Sequence, residues 1–236
     1  MNKTMMGSAF AALMLFAAPA LAAPSAAVTA AVADASRPDN DKAVDALRKP
    51  AETIEFVGVK PGDKVAELAP GGGYFTRILA KVVGANGKVY TYAPARPGAP
   101  PPTAVAPNVT PLNGPYADFA VPEPVDVVWT SRNYHDFQNA MPDMSASNKK
   151  VFAALKPGGT YFILDHAAAA DAAEDVTSKL HRSKESTVRA QVEAAGFRFA
   201  GSSDILRNPA DKRTERVQEQ DVRGKTDQYL LKFVKP

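Results

Sequence analysis

The stretch Val65-Ala66-Glu67-Leu68-Ala69-Pro70-Gly71-Gly72-Gly73-Tyr74 decides how the chain is read. Apolar residues over 64–69 predict a short buried strand, the glycine run a turn, and the apolar spacing over 74–83 a helix. An acid near the end of a strand therefore precedes a turn that opens a helix. Glycines let a backbone come close to a ligand, and the free N–H groups at a helix start suit an anionic or polar one. In an α/β sheet this is where ligands bind, although a tight strand-to-helix turn without a ligand explains the same residues. It is neither of the common nucleotide motifs. The third glycine position of the dinucleotide fingerprint holds Thr76, and no Gly-Lys-Ser/Thr follows as a phosphate loop requires.

Outward from this turn, Gly84-Ala85-Asn86-Gly87 leads into a second strand over 88–92, completing a βαβ unit. Further strands are predicted over 108–112, 125–130, 160–165, 197–206 and 226–234, and helices over 145–155 and 184–195. Before the first strand, residues 39–57 read as helix, with Asp39 able to cap its start and Pro50 dividing it in two. Alternating strands and helices predict an α/β fold: a seven-stranded, mostly parallel sheet with helices on both faces. The last two strands are joined by a charged stretch, 208–225, with no strong apolar helical face, which predicts an antiparallel last strand. Within it, residues 211–223 read as a solvated face. The connection 93–107 carries six prolines and is expected to be an extended surface loop. Trp129, in a buried-strand context, is assigned to the core.

With 236 residues, 45% of them hydrophobic and 22% charged, the chain has the composition of one globular domain. A net charge of +3 without a dense Lys/Arg cluster argues against a nucleic-acid partner. The absence of cysteine excludes disulfides, Cys-based zinc sites and Cys nucleophiles. Residues 1–22 carry Lys3, an apolar run, and Ala20-Leu21-Ala22, the pattern of a cleaved secretory signal peptide rather than a membrane span. Residues 23–38 read as a flexible leader and 39–236 as a single domain, periplasmic or secreted, with no membrane anchor after cleavage.

Glu67-x-Ala69-x-Gly71-x-Gly73 resembles the first motif of class I S-adenosylmethionine-dependent methyltransferases, with Ala69 in place of the first glycine. Asp126-Val-Val-Trp129-Thr-Ser-Arg-Asn133-Tyr134-His135-Asp136 resembles their fourth strand and the loop after it. Leu155-Lys-Pro-Gly-Gly159 resembles the turn into their fifth strand, and Ala194-Ala-Gly-Phe197 the turn before the sixth. The order and spacing hold from Glu67 to the end of the chain. Together with the leader, they look closest to a bacterial branch of exported, predicted methyltransferases. The resemblance implies a three-layer Rossmann-like fold and S-adenosylmethionine as cofactor. It further implies that Glu67, Pro70, Gly71 and Gly73 face the cofactor's methionine and ribose portions, and that Thr130 and Asn133 sit near its amino acid end. In the family an acid at the end of the second strand accepts both ribose hydroxyls, whereas Thr91-Tyr92-Ala93 offers none; Tyr92 could stack on the adenine instead.

The chain has three histidines, of which His135 and His166 follow adjacent predicted strands, each beside an acid, Asp136 and Asp165. Both could point into the cleft at the sheet's carboxyl edge. Methyl transfer needs the acceptor held in line and, for a hydroxyl or amine, a base to take its proton. His135 is the first choice for that base, with Asp136 and His166 beside it. Purely structural hydrogen bonding is one competing reading, and a metal site from His135, Asp136 and His166 another, since imidazole and carboxylate are good zinc or iron ligands. His181-Arg182 is read as part of a loop or cap over the cleft. The expectation is an exported methyltransferase acting on a small molecule. A non-catalytic periplasmic binding protein on the same fold, and a metal-dependent enzyme using the His/Asp cluster, are the alternatives.

Overall fold

The computed structural model describes residues 23–94, 104–141 and 143–236. The proposed signal peptide, 1–22, and residues 95–103 of the proline-rich connection lie outside them. Among the described residues helix α1 (Ala26–Val32) comes first, followed by the short α2 (Asp39–Lys42), α3 (Asp45–Arg48) and α4 (Pro50–Val57). Strand β1 (Lys64–Leu68), helix α5 (Tyr74–Val83), strand β2 (Lys88–Ala93) and strand β3 (Val109–Asn113) follow. A 3-10 turn (Tyr116–Asp118) leads into β4 (Val125–Ser131), then α6 (Tyr134–Ala140) and α7 (Met144–Ala154). The chain closes with β5 (Leu155–His166), α8 (Val176–Leu180), α9 (Glu185–Glu193), β6 (Arg198–Ser203) and β7 (Gln228–Val234).

The seven strands form one sheet in the order β3-β2-β1-β4-β5-β7-β6. The first five are parallel, and β7 runs antiparallel between β5 and β6. The charged 208–225 connection thus returns the chain into the sheet, as its lack of an apolar helical face predicts. Chain order reverses beside β1, so the carboxyl ends of β1 and β4 flank a topological switch point, the place such sheets bind ligands.

Two apolar clusters sandwich the sheet. On one face α1, α4 and α5 bury Val28, Ile54, Ile78 and Leu79 against Val65, Trp129 and Phe162. On the other, α7 and α9 bury Val151, Val188 and Val192 against Ala66, Val128 and Tyr161. Trp129 is fully buried, with Phe75 and Phe162 at ring-centroid distances of 4.9 and 4.3 Å.

Residues 23–38 are not the flexible leader that their lack of periodicity suggests. Ser25 caps α1 by accepting a hydrogen bond from Val28 N, its own N–H donates to Glu55, and Val28 and Ala31 are buried. Alanine carries high helix propensity at no side-chain entropy cost, and one buried Val with one buried Ala suffices to dock a seven-residue helix. The stretch 211–223 is also not wholly a solvated face. The Asp211 carboxylate makes an ion pair with Arg182 at 2.7 Å, and both side chains are buried.

Candidate active site

After β1 the backbone bends sharply. Ala69, Gly71 and Gly73 have φ of 53°, 57° and 79°, the left-handed region that an L side chain enters at a cost. Gly73 then caps α5. At Gly71 and Gly72 an added Cβ would meet nothing within 4 Å, so the protein's own packing leaves this turn open. It borders a cavity of about 790 Å³. Glu67, Pro70, Gly71 and Gly72 form one wall, Ser131, Arg132 and Asn133 the facing loop after β4, and His166 the end of β5. Asp41 and Arg48, from the helices before the sheet, complete the rim.

Glu67 is buried, and Thr76 Oγ1 donates to its Oε2 at 2.5 Å. Burial pushes its carboxyl up to about 7, against the weaker pull of the Thr76 hydrogen bond and the Arg77 charge. The Arg77 guanidinium is committed to Asp41, at 2.6 and 2.8 Å. Asn133 stitches the two loops together, its Nδ2 donating to the Ala69 and Ser131 carbonyls at 3.1 and 2.6 Å. Arg48 stacks over the Tyr74 ring at 4.2 Å, and the Tyr74 hydroxyl donates to Asp45.

The remaining residues that the resemblance assigns to the cofactor stand back from this cavity. Gly73 shapes the turn: a Cβ there would come within 2.9 Å of the Arg77 guanidinium. Thr130 is fully buried at the end of β4, its hydroxyl without a hydrogen-bond partner among the described residues. Tyr92 is buried, edge-on to Phe119, and its hydroxyl donates to the Pro115 carbonyl at 3.1 Å. Beside it, at the carboxyl ends of β2 and β3, lies a second hollow lined by Pro94, Asn113, Gly114, Tyr116 and Met141. No acid ends β2, but Asn113 stands in register beside Ala93.

The histidines meet at the carboxyl end of β5, two sheet positions from β1. Asp165, fully buried, accepts from four donors: His135 Nδ1 and N at 2.8 Å each, His166 N at 2.9 Å, and Ser183 Oγ at 2.7 Å. Burial alone would raise the Asp165 carboxyl, but the His135 charge and these hydrogen bonds hold it below the usual range. Burial opposes charge on His135, but Asp165 and Asp136 outweigh it and raise its pKa. Against a carboxylate, His135 Nδ1 is the donor, so Nε2 faces away from Asp165.

The structure brings His135 and His166 within 6.0 Å, ring to ring, as adjacent strands predict. Only His166 lines the cavity. Its Nδ1 meets Thr226 Oγ1 at 2.7 Å, and burial, helped by the charges of His135 and Arg182, lowers its pKa to about 4. Asp136 is half exposed and turns to His181, which ends α8, rather than to His166. Sequence reading missed His181 in this cluster. Nothing local marks it, because it arrives through the segment after β5.

No family model matches the chain, and no curated protein does. Among solved structures it is similar to an S-adenosylmethionine-dependent methyltransferase from Aquifex aeolicus, at 18% identity and TM-score 0.56, covering 85% of this chain and 99% of that one. One from Mesorhizobium loti gives 17% and 0.53, covering 82% and 99%. The [4+2]-cyclase SpnF gives 13% and 0.57, covering 83% and 80%. At such identities the likeness is one of fold: the chain has the class I methyltransferase fold. A cyclase on the same fold shows that the reaction must be argued from the site.

Proposed function

We propose that the chain binds S-adenosylmethionine at the carboxyl edge of β1 and directs methyl transfer to a small molecule. One observation carries this reading: an open glycine turn and a buried, high-pKa carboxyl share one cavity. Packing does not require glycine at either position, and the left-handed backbone accounts for Gly71 alone; at Gly72 close approach of a ligand to the backbone is the remaining reason for glycine. Glu67 in a buried setting ionises more readily beside an incoming cation, and this cofactor carries both an ammonium and a sulfonium. The residues present therefore fit its methionine end. Glu67 and the backbone of Gly71 and Gly72 would hold it, with Asn133 fixing the facing loop. The hollow beside Asn113 would take the adenosine end, this amide standing one strand over from the position where the family places an acid.

When bound, the cofactor supplies a methyl group on a positively charged sulfur. His166 sits on the cavity wall, kept neutral by burial, where its ring can accept a hydrogen bond from a hydroxyl or amine acceptor and hold that acceptor in line. His135 and Asp136 stand behind it, and Asp165 orients both His135 and the backbone of His166. Replacing His166 with Ala should abolish turnover of an identified acceptor while leaving cofactor affinity within about threefold. Unchanged turnover would refute the assignment.

The chain is also read as exported. Cleavage after Ala22 would leave α1 and its Ser25 cap intact, which supports a processing point there. N-terminal sequencing of the protein from the cell envelope should begin at Ala23. A start at Met1 would contradict export.

A further inference from the structure

We infer that His135, Asp136 and His181 form a binding site for one divalent transition-metal ion, zinc or iron in class, with Asp165 as its outer support. The site does not depend on the cofactor reading. His135 Nε2, Asp136 Oδ1 and His181 Nδ1 all lie within 4.8 Å of one another. The carboxylate oxygen is 3.4 Å from each histidine nitrogen. Charge-assisted hydrogen bonds run to about 2.9 Å, as the 2.8 Å His135–Asp165 contact does. Two donors about 2.1 Å from a tetrahedral ion stand about 3.4 Å apart, so the longer spacing is that of ligands around a shared ion.

The surroundings match what metal sites need. Metal-bound histidines hand their other ring N–H to a carboxylate, which fixes the tautomer and aims the ligand nitrogen. His135 does this through Nδ1 to Asp165, itself held by three further donors. His181 ends α8 with φ of 54°, a strained conformation for a non-glycine residue, and its ring stands 5.3 Å from that of His135. Strain of this kind persists where surrounding structure enforces it, and functional sites are where it gathers. Asp136 is half exposed, so one face of the ion stays open to water or an oxygen ligand. Three protein ligands with an open position are the pattern of a reactive zinc or non-haem iron centre rather than a closed structural one.

Arg216 opposes binding. Its Nη2 stands 2.8 Å from His181 Nε2. Arginine only donates, so Nε2 accepts and the ring proton sits on Nδ1. Binding an ion at Nδ1 moves that proton to Nε2 and displaces the exposed Arg216 side chain. The ligand set is then two neutral imidazoles and one carboxylate: His181 keeps its single ring proton, and a proton held on His135 Nε2 leaves to solvent as the ion binds.

The full chain, purified without a metal-binding tag and stripped with chelator, is titrated with Zn²⁺ by calorimetry and with Co²⁺ by its visible spectrum. One equivalent per chain and a tetrahedral or five-coordinate Co²⁺ spectrum are expected. His181→Ala should weaken binding about 100-fold, the upper end of what loss of even an outer partner costs. Asp136→Ala should do likewise, and both variants should keep the metal-free melting temperature, since neither side chain is core. Arg216→Ala should tighten binding several-fold. His166→Gln should leave one equivalent bound, which separates this cluster from a site that includes His166. No stoichiometric uptake, or uptake undiminished in His181→Ala, would overturn the site.

Discussion

The carboxyl ends of β1 and β5 lie two strands apart in the same sheet and treat their buried acids in opposite ways. Asp165 at the end of β5 accepts four hydrogen bonds from three residues and is held ionised. Glu67 at the end of β1 is offered one hydroxyl, and burial pushes it up to about 7. The first acid is satisfied by the protein and serves to position its neighbours. The second is left short of partners beside an open glycine turn, the condition of a group waiting for a ligand. Local satisfaction, more than acid identity or strand position, separates a supporting carboxylate from a receiving one.

Removing Asp165 should break that contrast most severely. Asp165→Ala leaves the His135 ring, the Ser183 hydroxyl and two backbone N–H groups without their acceptor in the interior. A loss of about 3–5 kcal/mol is expected from chemical denaturation. A loss below about 1 kcal/mol would mean that the network is not holding the loop.

Glu67 gives the next largest effect, visible as a pH dependence. Its folded pKa is raised above the unfolded value of 4.5 to about 7, so its stabilising contribution is complete below pH 4.5 and is lost as pH rises through 7. The loss amounts to about 3 kcal/mol at 1.36 kcal/mol per unit. Glu67→Gln should remove that slope from denaturation midpoints measured between pH 5 and 8. Affinity for a cationic ligand should rise over the same interval in the native chain and stay flat in Glu67→Gln. Parallel slopes in the two proteins would show that Glu67 is not the titrating group.

At the turn, Gly71→Asp is expected to lower S-adenosylmethionine affinity about 100-fold, some 2.7 kcal/mol. The side chain would enter the cavity, and a positive φ would be forced on a non-glycine residue. Its melting temperature should fall by a few degrees, from the left-handed backbone alone, because nothing of the protein's own lies within 4 Å of the new Cβ. The smallest effect belongs to Ala69, at a position where the resembling family carries glycine. Ala69→Gly relieves a left-handed alanine at φ 53° and should stabilise the fold by up to about 1 kcal/mol, offset in part by greater freedom in the unfolded chain.

The two edges were also unequally legible in the sequence. Glu67, Gly71 and Gly73 could be found because strand, turn and helix are local, so the acid and the glycines stay together in the chain. The strands followed from runs such as Val125-Asp-Val-Val-Trp129 between turn residues, and α5 was foreseen at its observed bounds, Tyr74–Val83. The pairing of His135 with His166 followed from adjacent parallel strands. The acceptor of the His135 proton did not, because Asp165 turns toward His135 rather than leaving Asp136 as its partner. His181 was invisible as a member of the cluster: α8 is a five-residue helix without period, brought beside α6 only by tertiary packing. The same reason hid α1, whose alanines give no amphipathic signal, and the buried Arg182–Asp211 pair, which reads as surface charge.

The most direct test of a ligand-receiving edge at β1 is calorimetric titration of the purified chain with S-adenosylmethionine at pH 6 and pH 8, alongside Gly71→Asp. Micromolar binding that tightens at the higher pH and is lost in the variant is the expected result. No heat at millimolar cofactor, or equal binding by both proteins, would contradict it.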